Sequence, residues 1–217
     1  MDYKESYRRW RENPGMDGEL LEELKIMDEA GMEDAFYRDL AFGTGGLRGV
    51  LGAGTNRMNV CTVAKATQGL ANYLKGHFDA PSVAIGFDSR LKSDVFAKTA
   101  ARVFAANGVK VFLWPRLMPV PTVSFAVRYL GASAGVMITA SHNPSKYNGY
   151  KVYGPDGCQI TTEAAARVLK EIEALDIFND VKDGDFGQLW DAGMISHISE
   201  DVYTAFVENV KAQSVLY

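Results

Sequence analysis

Between Ser82 and Ala140 the chain alternates three unbroken apolar runs with two helical patterns. SVAIGFD (82–88), VKVFLW (109–114) and ASAGVMITA (132–140) lack the apolar–polar alternation of a half-exposed strand. Each therefore predicts a strand covered on both faces. Residues 93–107 predict a helix stopped by Gly108, and PTVSFAVRYL (121–130) a helix with proline at its first position. A strand–helix–strand–helix–strand order implies right-handed crossovers and a mostly parallel sheet with helices on both sides. The expected fold class is α/β: a three-layer α/β/α domain with a mostly parallel mixed sheet.

The flanks extend this reading. Residues 1–40 predict an α-helical N-terminal extension. Within it Asp17 caps a helix bearing Leu20, Leu21, Leu24 and Met27, and Gly31 is placed to end it. A glycine-rich stretch, Phe42–Arg57, precedes a long helical pattern at about 59–77. YKVYGPDGCQI (150–160) predicts a hairpin turning at Pro155-Asp156-Gly157, and residues 161–175 a capped, alanine-rich helix. The polar segment NDVKDGDFG (179–187) reads as a boundary. The expected organisation is a helical extension at 1–40, the α/β/α domain at 41–190, and the truncated start of a second domain at 191–217. That last part holds a helix near 199–213 and a strand-like ending, SVLY, which suggests that the natural sequence continues.

Composition narrows the partners. A formal net charge of −4 on 217 residues argues against a general nucleic-acid binder, which needs a basic face. A small phosphorylated ligand needs only a local cluster of cations. The N-terminus is polar, with no signal-peptide pattern, and no apolar run reaches the roughly 20 residues that span a bilayer. Cys61 and Cys158 have no metal or redox spacing, so buried free thiols in a reducing compartment are expected. Together these features predict a cytoplasmic protein with no membrane and no nucleic-acid partner.

One stretch concentrates chemistry. ITASHNPSKYNGYKVYG (138–154) places Ser141 and His142 just past a strand, then a rigid Asn143-Pro144 turn, then Lys146, Asn148, Gly149 and Lys151. In open α/β sheets ligands lie outside the carboxyl ends of the strands, where Asp88-Ser89-Arg90 also falls. A nucleophile elbow needs glycine two residues either side of the serine; Thr139 and Asn143 stand there, so acyl transfer is disfavoured. The cations point instead to a serine that carries or meets a phosphate. GTGGLRG (43–49) misses the dinucleotide fingerprint because Arg48 fills its last place, and no Gly-Lys-Ser/Thr occurs. Its reading is a loop from which Arg48 reaches a phosphate, or a plain glycine turn. Asp88 and Arg90 can equally form a structural ion pair that shapes their loop. Asp183-Gly184-Asp185 resembles a cation loop but lacks a further carboxylate at the needed spacing, so a polar turn is expected there.

TASHNPSKYNGYKVYGPDGCQI resembles the active-site signature of the α-D-phosphohexomutases, the phosphoglucomutase/phosphomannomutase superfamily. FGTGGLRG is similar to the family's N-terminal glycine–arginine motif, GFDSR to its Gly-x-Asp-x-Arg loop, and MPVPTVSFAV to the loop before the helix leading to the serine strand. The matches run in family order from Phe42 to Ile160, and look most like a bacterial phosphoglucomutase. The resemblance implies that Ser141 is the phosphorylated serine and that its phosphate passes to a sugar monophosphate through a bisphosphate. It implies proton-transfer or hydroxyl-activating roles for Lys151 and Arg48, and for His142 the role of orienting the phosphate or assisting the proton transfer. It implies substrate or phosphate contacts from Thr44, Gly45, Arg90, Asn143, Lys146 and Asn148. Mg2+ is implied as cofactor, bound here only through the Ser141 phosphate because the family's metal loop is absent. Glucose 1,6-bisphosphate is implied as activator, with a small sugar phosphate and the remaining domains of the same polypeptide as partners. The implied reaction interconverts glucose 1-phosphate and glucose 6-phosphate, with phosphomannomutase or phosphopentomutase activity as alternatives; this fragment alone is expected to be inactive. A reading of another class is a stand-alone, non-catalytic phosphosugar-binding module.

Overall fold

The computed structural model describes residues 2–215. Three helices, α1 (Tyr3–Arg11), α2 (Gly18–Ile26) and α3 (Glu29–Phe36), form the N-terminal extension. There follow β1 (Phe42–Gly43), β2 (Gly46–Val50), α4 (Val60–His77), β3 (Ser82–Phe87), α5 (Ser93–Ala106), β4 (Lys110–Leu113), α6 (Pro121–Leu130) and β5 (Ala134–Ile138). The chain continues with β6 (Tyr147–Tyr153), α7 (Thr162–Glu173), α8 (Phe186–Asp191), β7 (Ile195–His197) and α9 (Glu200–Lys211). The strands make one seven-stranded sheet in the order β1-β2-β6-β5-β3-β4-β7. Pairings β5–β3, β3–β4 and β4–β7 are parallel; β1–β2, β2–β6 and β6–β5 are antiparallel. The sheet is thus mixed, with its parallel half built from the three unbroken apolar runs.

Helices cover both faces. Val83 and Ile85 of β3, Val136 and Ile138 of β5, and Tyr150 and Val152 of β6 face one core with residues of α4, α5 and α7. Ala84, Met137 and Tyr153 face the other, beneath α6 and α9. Such two-sided burial removes the alternation a one-sided strand would show.

Local chemistry sets the helix ends. Asn59 and Thr62 close a reciprocal capping box on α4: the Thr62 N–H donates to Asn59 Oδ1 at 2.9 Å and the Asn59 N–H to Thr62 Oγ1 at 3.0 Å. Pro121 opens α6 and Gly131, at φ 62°, ends it. Asp17 caps α2 as expected, but Gly31 lies inside α3, whose own cap is Asp28; α2 has already ended at Ile26, with Met27 extended. The hairpin at 150–160 is half a hairpin. β6 is long and begins at Tyr147, while the return beyond the turn is a single bridge, Tyr153 to Gln159.

The segment expected to begin a second domain is packed into this one. β7 pairs with β4, its Ile195 opposite Val111, and α9 lies against α6. Of the strand-like ending SVLY, Ser214 and Val215 have no strand structure, and Leu216 and Tyr217 lie outside the described residues. The cysteines are free: Cys61 is half-buried, its thiol pushed up to about 12 by burial, whereas Cys158 is exposed rather than buried. Among the described residues no helix is long and apolar enough to cross a membrane.

The extension is docked through aromatic contacts. Trp10, 1% exposed, meets Phe36 edge-on at 5.6 Å and Phe178 at 5.5 Å, and Tyr7 Oη donates to the Leu24 carbonyl at 2.6 Å. Arg9 pairs with Asp176 just beyond α7. Trp10→Ala is expected to lower the unfolding free energy by about 3 kcal/mol, read by urea denaturation, because the cavity it leaves joins two elements.

Candidate active site

Parallel pairing of β3 with β5 puts Phe87 beside Ile138, so the next residues, Asp88 and Thr139–Ser141, emerge side by side. Alternation along the strands assigns the faces. Ala84 on β3, Met137 on β5 and Tyr153 on β6 face α6, so Asp88, Thr139 and Lys151 continue those rows. On β2, Leu47 faces the opposite core, which puts Arg48 on this same face. Arg48 pairs with Gly149, two residues from Lys151, so the two cations are diagonal neighbours, roughly 7–8 Å apart at the backbone.

The turn at Ser141 is closed by the Asn143 N–H donating to the Ala140 carbonyl at 3.1 Å. Ser141 has a φ of 57°, whereas His142 has no positive φ. A positive φ at only the first central position is the pattern of a type II′ turn, a place that suits glycine. Ser141 is exposed, with its Oγ 3.3 Å from His142 Nδ1. Asn143 Oδ1 accepts from Arg48 Nη1 at 3.0 Å, tying the strand cation to the turn. Lys146 is exposed, its ammonium 5.9 Å from the centre of the Tyr147 ring. Partial burial, then the Arg48 guanidinium, hold the Lys151 ammonium below the usual 10.5, against a smaller upward pull from Asp88.

The structure gathers Ser141, His142, Asn143, Lys151 and Arg48 and gives other candidates different work. Arg48 is on a strand, not a loop. Arg90, expected to contact phosphate, spends its guanidinium on four carbonyls of the serine loop. Nη1 donates to Pro144 and Tyr147 at 3.1 and 3.0 Å, and Nη2 to Ser141 and Asn143 at 2.7 and 2.6 Å. Asn148 is fully buried: its Nδ2 donates to the Leu91 carbonyl at 2.9 Å and Ser93 Oγ at 3.0 Å, and its Oδ1 accepts from the Gly149 N–H. No polar atom of it is left for a ligand. Thr44 and Gly45 form the two-residue turn of the β1–β2 hairpin. Because β2 runs in the same direction as β5, that turn lies at the end of β2 away from Ser141. The turn needs glycine next to it: Gly46 has φ +75° and a side chain there would meet the Tyr150 carbonyl at 1.8 Å.

Two site residues were not named from the sequence as candidate site side chains: Thr139, and Asp88, whose loop was placed at the strand ends and whose expected ion pair with Arg90 is present at 3.8 Å. Asp88 Oδ1 accepts from the Arg90 N–H and Ser93 Oγ, each at 3.0 Å, and Oδ2 accepts from Thr139 Oγ1 at 2.5 Å. The Thr139 oxygen accepts in turn from the Ser141 N–H at 2.9 Å. The signal for Thr139 was present, a hydroxyl where an apolar run ends, but its partner is distant in sequence.

The residues here do not make a complete divalent-cation site. Among the described residues no three His, Cys, Asp or Glu side chains converge to hold a metal ion, and the one carboxylate beside the turn, Asp88, has both oxygens engaged. A cavity of about 390 Å³ lies elsewhere, between α1 and the α4–α7 pair, and none of these residues lines it.

A three-layer sheet domain with a serine turn past the carboxyl end of a parallel strand, and cations on the adjoining sheet face, is the class that these features describe. Residues 39–177 match the family model "Phosphoglucomutase/phosphomannomutase, alpha/beta/alpha domain I". The chain belongs to the phosphoglucomutase/phosphomannomutase family. It is 39% identical over 173 residues to a phosphoglucomutase of Staphylococcus saprophyticus, covering 80% of this chain and 31% of that one. It is 46% identical over 145 residues to a Schizosaccharomyces pombe protein named "probable phosphoribomutase", covering 65% and 25%. A crystal structure of a candidate phosphomannomutase from Thermus thermophilus matches with a TM-score of 0.65 at 30% identity, covering 82% of this chain and 37% of that one. The chain thus spans about a third or less of the length of these curated relatives.

Two outcomes follow from the geometry. Ser141→Gly should exceed Ser141→Ala in unfolding free energy by about 1 kcal/mol in urea denaturation, because both lose the hydroxyl and only glycine accepts the left-handed backbone freely. The folded-state value of Lys151 lies below its unfolded one, so its protonation costs stability at neutral pH, and the cost lifts as pH rises through the window up to 10.5. An NMR titration of the Lys151 side chain should give a midpoint below those of exposed lysines, and Arg48→Met should move it back up.

Proposed function

We propose that this chain is the phosphoserine-bearing domain of a phosphoglucomutase-type enzyme that interconverts glucose 1-phosphate and glucose 6-phosphate. The observation that carries the reading is an exposed serine in a strained turn, beside two cations on one sheet face, one of them a lysine with a lowered pKa. In the resting state Ser141 Oγ carries a phosphoryl group. During transfer the Oγ–P bond breaks as a P–O bond forms to the C6 hydroxyl of glucose 1-phosphate; the hydroxyl proton passes to Lys151 in its unprotonated form, and Ser141 Oγ takes up a proton from the surrounding water as it leaves. The bisphosphate turns round and its C1 phosphoryl group returns to Ser141: the Ser141 hydroxyl gives up its proton to water as the new Oγ–P bond forms, and the proton held by Lys151 passes to the C1 oxygen as its P–O bond breaks, leaving glucose 6-phosphate. Phosphoryl transfer asks mainly for positioning and for neutralising charge on the phosphoryl oxygens. Arg48 supplies a cation from a strand and Lys146 one from the loop, and Lys151 becomes a third on taking the proton; the His142 ring, with Nδ1 3.3 Å from Ser141 Oγ, is read as orienting the phosphate. Mg2+ would act as a Lewis acid on the phosphate when bound, with its remaining ligands outside these residues.

The likeness to a protein named as a phosphoribomutase favours a second reading, in which the sugar is a pentose phosphate. Incubation with glucose 1,6-bisphosphate or with ribose 1,5-bisphosphate separates the two, read by intact mass. The expected result is gain of one phosphoryl group from the glucose donor, mapped to Ser141, and none in Ser141→Ala. Faster labelling by the ribose donor would favour the pentose reading, and no labelling by either would overturn the phosphoserine assignment. Turnover of glucose 1-phosphate by this chain alone is expected to be negligible in a coupled assay.

A further inference from the structure

We propose that Asp88 and Thr139 are positioning residues for Ser141: acting with Arg90, they clamp both backbone polar groups of that residue and hold its left-handed conformation. The inference rests on the reading of Ser141 as the phosphoryl carrier. A non-glycine residue at positive φ persists only where its surroundings over-determine it. Here the surroundings do so from two sides. The Ser141 N–H donates to Thr139 Oγ1 at 2.9 Å, and the Ser141 carbonyl accepts from Arg90 Nη2 at 2.7 Å. The Asn143 N–H closes the turn behind them.

Asp88 governs both jaws. A threonine hydroxyl has one proton, and that of Thr139 is taken by Asp88 Oδ2 at 2.5 Å. An ionised carboxylate only accepts, so the Thr139 lone pairs are left to face the Ser141 N–H. The other oxygen, Oδ1, accepts from the Arg90 N–H and the Ser93 hydroxyl, which shapes the loop from which the Arg90 side chain reaches back. Neither Asp88 nor Thr139 is bonded to Ser141 Oγ. Their effect is on the direction in which the Cα–Cβ bond leaves the backbone, and so on where Oγ stands. Displacing a reacting atom by about 1 Å can slow a reaction about a hundredfold.

The test uses three variants of the intact chain. Thr139→Val keeps the shape and removes the hydroxyl, Thr139→Ser keeps the hydroxyl, and Asp88→Asn keeps the shape but offers a donor that can reverse the hydroxyl. Amide hydrogen exchange at Ser141, followed by NMR, reads the clamp directly; phosphoryl uptake from glucose 1,6-bisphosphate reads its consequence. Wild type and Thr139→Ser should show a protected Ser141 amide and comparable uptake. Thr139→Val and Asp88→Asn should exchange that amide about tenfold faster and take up phosphate about a hundredfold more slowly. A purely structural role predicts loss in Thr139→Ser as well, since its methyl group is gone. A Ser141 amide as protected in Thr139→Val and Asp88→Asn as in wild type would overturn the clamp, as would failure of Thr139→Ser to restore protection. Should either variant not fold, the other and the serine rescue decide. A protected wild-type amide with no phosphoryl uptake sinks the phosphoserine reading instead.

Discussion

Asp88 and Thr139 meet because two parallel strands end in register, and the candidate site is built outward from that meeting. The pairs Gly86–Met137 and Phe87–Ile138 bring the strand ends level. A slip of one residue would turn every side chain beyond them to the other face. Buried on both sides, β3 and β5 have no freedom to slip, so core packing on two faces sets the position of a surface carboxylate and hydroxyl. From Asp88 the order spreads through Arg90 to the whole 141–147 loop, four of whose carbonyls converge on one guanidinium. A loop held in that way can keep a serine in a backbone conformation that costs roughly 1–3 kcal/mol.

The cationic side of the site comes from the antiparallel half. β6 folds back on β5 and brings Lys151 opposite Met137; β2 then pairs with β6 and brings Arg48 opposite Gly149. A glycine at 149 leaves no side chain across from Arg48, and one placed there would meet the carbonyls of Thr139 and Leu47 at 2.6 and 2.8 Å. The result is two like charges on one face with a single carboxylate nearby. Partial burial, and then the Arg48 charge, lower the proton affinity of Lys151, which is the property a proton acceptor needs, and the imbalance leaves a surplus of positive charge for an anion.

Much of this was legible beforehand. The unbroken runs at 82–88, 109–114 and 132–140 predicted strands covered on both faces, because burial on both sides leaves a mark on every residue. Caps at Asp17 and Thr161 and the proline at 121 were equally local and equally visible. The readings that changed involve partners distant in the chain. Arg90 and Asn148 look like ligand contacts in a list of polar residues, yet the Arg90 guanidinium and the Asn148 amide nitrogen are consumed by backbone or hydroxyl groups about 50 or more residues away. Thr44 and Gly45 belong to the right motif but sit at the wrong end of β2, which is a matter of strand direction. The apparent boundary at 179–187 is polar because it crosses the surface, and β7 beyond it returns to the same sheet.

The amino-acid sequence by itself determined the covered sheet, its helical layers and the family, because each is written in residues close together along the chain. Tertiary structure alone decided which polar groups remain free. Hydrogen-bond capacity is finite, and only the folded chain shows that the side chains of Arg90 and Asn148 have spent theirs while, among the described residues, those of Lys146 and Lys151 have no hydrogen-bond partner. It also decided that Asp88, which pairs with Arg90 at 3.8 Å as the sequence suggested, stands where two strands end, with the Thr139 hydroxyl between its carboxylate and the Ser141 N–H.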